Sequence, residues 1–152
     1  MSKDLIPSFF RRVFACERFK NCIINVSFSR TVPAYSVYGK NIDYITHLQA
    51  LLDTVKKEEK SSIEDASEAL LEAIRSDHNI FVFGASHAGI ISDELFYRAG
   101  GLALINPVVA LELELSNRPI TMTSQMERLD GYGTLLAEKT PFQAGDVCIT
   151  HS

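Results

Sequence analysis

Four apolar residues in a row, Ile80-Phe81-Val82-Phe83, run straight into Gly84. A short run with no polar alternation has no wet face, so it reads as a strand covered on both sides. Such strands belong to parallel sheets with helices packed above and below. The residues that follow agree. Gly84-Ala85-Ser86-His87 reads as a turn, and a helix is predicted from about residue 88 to residue 98, ended by Gly100 and Gly101. Leu102-Ala103-Leu104-Ile105 is then a second buried strand, stopped by Asn106-Pro107. Strand, helix, strand makes a βαβ unit with a right-handed crossover.

The flanking sequence extends the pattern. Ile42, Ile45, Leu48, Leu52 and Val55 recur at helical spacing, and Lys56-Lys57-Glu58-Glu59-Lys60 reads as a solvated helix end. Ser61 with Glu64, or Ser62 with Asp65, has capping-box spacing ahead of a helix striped by Ile63, Ala66, Leu70 and Ile74. A further helix is expected from Ser124 to Glu138, with Ser124 and Glu127 as its capping box. Val147-Cys148-Ile149-Thr150 is a third strand.

Charge divides the chain near residue 42. Residues 1–42 carry a net +5, and the rest of the 152 residues a net −9. We therefore read a basic leader, 1–42, and a folded region, 43–152. Within the leader, Ile23-Ile24-Asn25-Val26-Ser27-Phe28 has the β-propensity of one short strand, but no sustained period connects the segment. A poorly ordered leader, a targeting segment and a packing element all remain open. An overall charge of −4 argues against a nucleic-acid binder, and the absence of a long apolar run against a membrane span. Cys16, Cys22 and Cys148 form neither an even disulfide set nor a zinc spacing, which suits reduced thiols in a cytoplasmic protein. No metal site and no cofactor is expected.

In open α/β sheets, ligands bind beyond the carboxyl ends of the strands. Gly84-x-Ser86-x-x-Gly89 is a poor dinucleotide fingerprint, because Ser86 replaces the glycine that admits the pyrophosphate. It is a worse serine-hydrolase elbow, since Gly89 comes one residue late. A third reading fits better: Ser86 and His87 offer donors to one phosphate at a helix start. The alternative that Ser86 only caps the helix stays open.

Phe81-Val82-Phe83-Gly84-Ala85-Ser86-His87, the run Glu94-Leu95-Phe96-Tyr97-Arg98-Ala99-Gly100-Gly101-Leu102, Asn106-Pro107 and Met126-Glu127-Arg128-Leu129-Asp130-Gly131-Tyr132-Gly133 together resemble the sugar isomerase (SIS) domain family, from about residue 43 to residue 152. The resemblance implies a three-layer αβα, Rossmann-like parallel sheet that binds a phosphorylated sugar at its strand carboxyl ends, often as a homodimer. It implies that Ser86 contacts the ligand, with His87 beside it. It also implies a second phosphate loop after the strand at 147–150, of which Ser152 would be the first residue. Because the chain stops there, the sheet is expected to be incomplete, the edge at 147–150 to need a cover, and activity from this chain alone to be weak or absent.

Aldose–ketose isomerisation needs a base. Glu94 lies near the position where isomerases of this family carry a glutamate, with Asp93 beside it leaving the register open. Glu127 is the second candidate. Arg98 could reach the phosphate. The plain alternatives are an ion pair between Glu94 and Arg98 at i,i+4 spacing and a capping role for Glu127. Three functions follow: a sugar-phosphate-binding domain with possible isomerase chemistry, a non-catalytic sensor, and an inactive fragment.

Overall fold

The computed structural model describes the backbone of residues 23–26 and all of residues 44–151. Four strands form one sheet: β1 (Ile23–Val26), β2 (Ile80–Gly84), β3 (Ile105–Pro107) and β4 (Val147–His151). Their order is β1-β4-β2-β3, and every neighbouring pair is parallel. Among the described residues there are five α-helices, α1 (Tyr44–Glu58), α2 (Lys60–Arg75), α3 (Gly89–Leu95), α4 (Thr121–Met126) and α5 (Tyr132–Lys139), and short 3-10 turns at Ser86–Ala88 and Leu111–Leu113.

Alternation along β2 and β4 builds two cores on opposite faces. Ile80, Val82 and Val147, with Ile105, pack against Ala73 and the half-buried Leu70 of α2. Phe81, Phe83 and Cys148 pack against Ala110, Leu113 and Ala137, with Leu136 and Phe142 closing over them. Phe81 meets Phe142 edge-on, ring centroids 4.5 Å apart, an arrangement that aromatic quadrupoles favour. Helix, sheet, helix is the three-layer α/β architecture expected from apolar runs buried on both faces.

Several boundaries differ from the sequence reading. The second strand of the βαβ unit is Ile105–Pro107, whereas Leu102 and Leu104 stand exposed in the turn before it. Asn106-Pro107, read as the stop, are the last two residues of β3 itself, and a proline is tolerated there because β3 lies at the edge of the described sheet. The helix expected to reach Arg98 ends at Leu95, where Phe96 turns extended. The single helix expected from Ser124 to Glu138 is two, α4 and α5, separated at Gly131. That residue has φ +80°, a left-handed conformation that glycine adopts at no steric cost. Ser124 is therefore interior to α4 and Glu127 follows its end, so neither forms the expected capping box. The stripe on α2 is only partly buried: Ile63 and Ile74 are exposed.

At the amino ends of the strands, Asp146 joins β2 to β4. Its buried carboxylate accepts from the backbone N–H of Asn79 (2.8 Å), the Asn79 side-chain amide (3.2 Å) and the backbone N–H of Gln143 (2.8 Å).

Candidate functional site

The carboxyl ends of β2 and β3 open on a cleft of about 280 Å³. One wall is the turn after β2 and the start of α3; the other is the segment from Pro107 to Ser116. β2 delivers this turn because Gly84 ends the buried run and the chain must leave the sheet between β4 and β3. Val108 N–H donates to the Val82 carbonyl at 2.9 Å, which holds the second wall against β2.

Ser86 lines the cleft with φ +55°. A left-handed conformation at a residue with a Cβ costs roughly 1–2 kcal/mol, and such strain concentrates where a site needs a particular backbone shape. The turn is fixed by the bond from Ala88 N–H to the Ala85 carbonyl (3.0 Å). Ser86 makes no side-chain cap of the helix that follows.

Beneath the turn sits a histidine from the neighbouring strand. His151, at the carboxyl end of β4 opposite Gly84, is buried, and its Nε2 lies 3.2 Å from the buried Ser92 Oγ on α3. Burial lowers the His151 pKa, an effect opposed by a hydrogen bond to the Ala88 backbone. His151 also explains Gly84. A Cβ there would stand 2.5 Å from His151 Nε2 and 2.7 Å from the backbone of Ala88, so the strand, the turn and the ring pack too tightly for any side chain. Ser92 lines the cleft as well. The signal for this cluster was a histidine at the carboxyl end of one strand together with a serine on the helix that follows another. Both were visible, but their meeting depends on the strand order.

The other expected residues are dispersed. Glu94 and Arg98 form an exposed ion pair and neither lines the cleft. The carboxylates lining it are Asp93 and Glu114. His87 is exposed and outside the lining; Glu127 is half-buried and also outside it. Ser152 lies outside the described residues. No lysine or arginine lines the cleft, and no cluster of metal-ligating side chains occurs among the described residues. No helix among the described residues is long and apolar enough to cross a membrane.

Among the described residues, one buried side-chain polar atom has no hydrogen-bond partner, the hydroxyl of Thr150, paired in register with Phe83. On the same strand, burial pushes the Cys148 thiol up to about 12, which leaves it protonated and inert at neutral pH.

Comparison with known proteins assigns the fold to a family. The SIS domain profile matches residues 43–152. The UPF0309 protein OB3413 of Oceanobacillus iheyensis is 42% identical over 110 residues, covering 72% of this chain and 45% of that protein. The UPF0309 protein ABC0887 of Shouchella clausii is 45% identical over 109 residues, covering 72% and 44%. The UPF0309 protein SCO4393 of Streptomyces coelicolor is 36% identical over 100 residues, covering 65% and 40%. The chain thus spans less than half the length of these curated relatives. With the profile matching this three-layer parallel domain from α1 through β4, the chain belongs to the SIS domain family.

Proposed function

We propose that this domain binds a phosphorylated sugar in the cleft between the Gly84–Ser92 turn and the Pro107–Ser116 wall. The observation that carries the reading is Ser86, held left-handed at the rim of a cleft at the strand carboxyl ends of a SIS domain. The cleft is lined by serine hydroxyls and two carboxylates and lacks a cationic side chain. Hydroxyls and carboxylates are the usual partners of a sugar's hydroxyl groups. The phosphate in this reading is met by neutral donors: the Ser86 hydroxyl and the backbone N–H groups of the turn.

Isomerisation requires a carboxylate that reaches the substrate's carbon-bound proton. Asp93 lines the cleft and Glu94 faces outward toward Arg98, so any base in this wall is Asp93 in preference to Glu94. The homodimer belongs to the same proposal. Its support is α1, which buries no residue and exposes Tyr44, Leu48 and Leu52 along one stripe.

Thermal unfolding with hexose, hexosamine and heptose phosphates tests the binding. One phosphate class should raise the melting temperature, because a ligand at one hundred times its Kd stabilises the native state by about 2.7 kcal/mol. A melt indifferent to every sugar phosphate would overturn the reading. With a ligand in hand, Asp93→Asn should abolish any turnover while Glu94→Gln leaves it intact. Turnover that survives Asp93→Asn would remove Asp93 as the base. Binding without turnover in the parent chain would favour a sensor.

A further inference from the structure

Hydroxyls in and at the ends of this protein's helices share a habit. Thr54 Oγ1 donates to the Ala50 carbonyl at 2.9 Å, Ser67 Oγ to the Ile63 carbonyl at 2.7 Å and Thr140 Oγ1 to the Leu136 carbonyl at 2.9 Å. Each turns back four residues, the common resting place of a short hydroxyl on a helix. Ser92, inside α3, breaks the habit. Among the described residues its hydroxyl meets His151 Nε2, at 3.2 Å, and not the carbonyl of Ala88 four residues back.

That carbonyl is taken by the same histidine. His151 hydrogen-bonds the Ala88 backbone in the sense that favours the charged ring, so a ring N–H donates and the carbonyl accepts. The groups are crowded together: a Cβ on Gly84 would stand 2.5 Å from His151 Nε2 and 2.7 Å from the Ala88 oxygen. The ring therefore lies against the acceptor that Ser92 would otherwise use, and against Ser92 itself. A hydroxyl carries one donor and two acceptor lone pairs, so one contact with His151 leaves capacity unspent. Ser92 is 6% exposed and lines the cleft. A polar group so deeply buried needs partners close by, and the cleft is the side on which a ligand supplies one.

We infer that Ser92 is a ligand-contacting residue of the cleft and that His151 is its positioning residue: by engaging the Ala88 carbonyl and the Ser92 hydroxyl together, the ring keeps that hydroxyl off the helix backbone and available to the ligand. The inference rests on the sugar-phosphate reading above. It adds a hydrogen bond to one sugar hydroxyl, made by a buried serine where Ser86 is half-buried. Gly84 belongs to the same arrangement, because any side chain there would displace the ring.

A double-mutant cycle read by isothermal titration tests it, with glucose 6-phosphate, glucosamine 6-phosphate and sedoheptulose 7-phosphate as probes. For whichever of them binds the parent, Ser92→Ala should raise Kd about tenfold, the equivalent of one hydrogen bond. His151→Leu should raise it as much, and the double variant should bind no more weakly than either. His151→Gln, whose amide still donates to a carbonyl, should restore most of the affinity. An unchanged Kd in Ser92→Ala, or losses that add in the double variant, would overturn the inference.

A second measurement needs no ligand. In a Cys16→Ser, Cys22→Ser, Cys148→Ala background, Ser92→Cys puts a thiol beside the ring. Iodoacetamide should alkylate it, and His151→Leu should slow the reaction about tenfold at neutral pH, because a neighbouring imidazole promotes the thiolate. Alkylation that is absent, or indifferent to His151, would overturn the inference even where a sugar phosphate binds. If His151→Leu does not fold, Ser92→Ala and the alkylation of Ser92→Cys in the parent still decide. If no probe binds the parent, the sugar-phosphate reading falls by itself, and the alkylation result alone decides whether His151 holds residue 92 toward the cleft.

Discussion

The two ends of this sheet are built to opposite rules. At the amino end, the buried Asp146 carboxylate is satisfied by three donors that bind β2 to β4. At the carboxyl end, Ser86 is left-handed, Thr150 carries an unmatched hydroxyl, and His151 is buried against a helix backbone and a serine. Each end has a left-handed residue, Asp77 (φ +58°) before β2 and Ser86 after it, but only Ser86 lines the cleft, and only at its end is a buried hydroxyl left unmatched among the described residues. Natural sequences break local rules mainly where a site needs it, and in α/β sheets that place is the carboxyl end. The contrast falls where the candidate cleft lies, without reference to any relative.

The comparison can be broken most forcefully at the amino end. Asp146→Ala leaves two backbone N–H groups without their acceptor and should cost about 3 kcal/mol, seen as a clear fall in melting temperature. Well below the melt, its Kd for a bound sugar phosphate should match that of the parent. A large change in Kd would mean that the two ends are not separate in role.

Next in size is pH. Burial holds His151 below its ordinary value near 6.5, so the unfolded chain takes up the proton first as the solution is acidified. The stability associated with neutral His151 is thus full above about pH 6.5 and is lost as pH falls toward the lower native pKa. Melting temperatures from pH 7.5 to 5 should fall more steeply for the parent than for His151→Gln. Parallel curves would show that this histidine has no part in the acid dependence.

Ser86→Gly sharpens the contrast because its two effects should have opposite signs. Relief of the left-handed conformation should stabilise the fold by about 1 kcal/mol, while loss of the hydroxyl should weaken ligand binding several-fold. Isothermal titration and a melt on the same sample decide it; weaker stability with unchanged affinity would show that Ser86 serves only the fold. The smallest effect is expected from Thr150→Val. Removing a buried hydroxyl that has no partner should change stability by less than about 1 kcal/mol and in the favourable direction, measured by denaturant midpoint. A loss of several kcal/mol would mean that the hydroxyl is paired in solution.

What the sequence made legible follows from where local information suffices. Ile80-Phe81-Val82-Phe83 is apolar throughout, and that alone placed β2 in a doubly covered sheet, while Val147-Cys148-Ile149-Thr150 read as a strand. Ser86 was found because Gly84-x-Ser86 follows directly on a strand. Leu102-Ala103-Leu104 misled because an apolar run looks the same whether it lies in a sheet or on an exposed turn; only Ile105 onward reaches β2. The break at Gly131 was hidden by apolar residues at helical spacing on both sides. Glu94 and Asp93 differ by one position, about 100° around a helix, and the spacing of a motif could not tell which faced the cleft. His151 and Ser92 meet only because β4 inserts between β1 and β2, a fact of topology that no local pattern encodes.

The strand order β1-β4-β2-β3 also has a consequence in time. Among the described strands, β1 is synthesised first and its partner β4 last, with Ile23 matched to Cys148. During translation β1 has nowhere to dock until almost everything between them has emerged, whereas β2 and β3 can pair much earlier. Contacts so distant in sequence repay their loop-closure entropy late, so the ladder between β1 and β4 should be the last part of the sheet to assemble. From its own synthesis until that of β4, then, this apolar strand has a destination that does not yet exist.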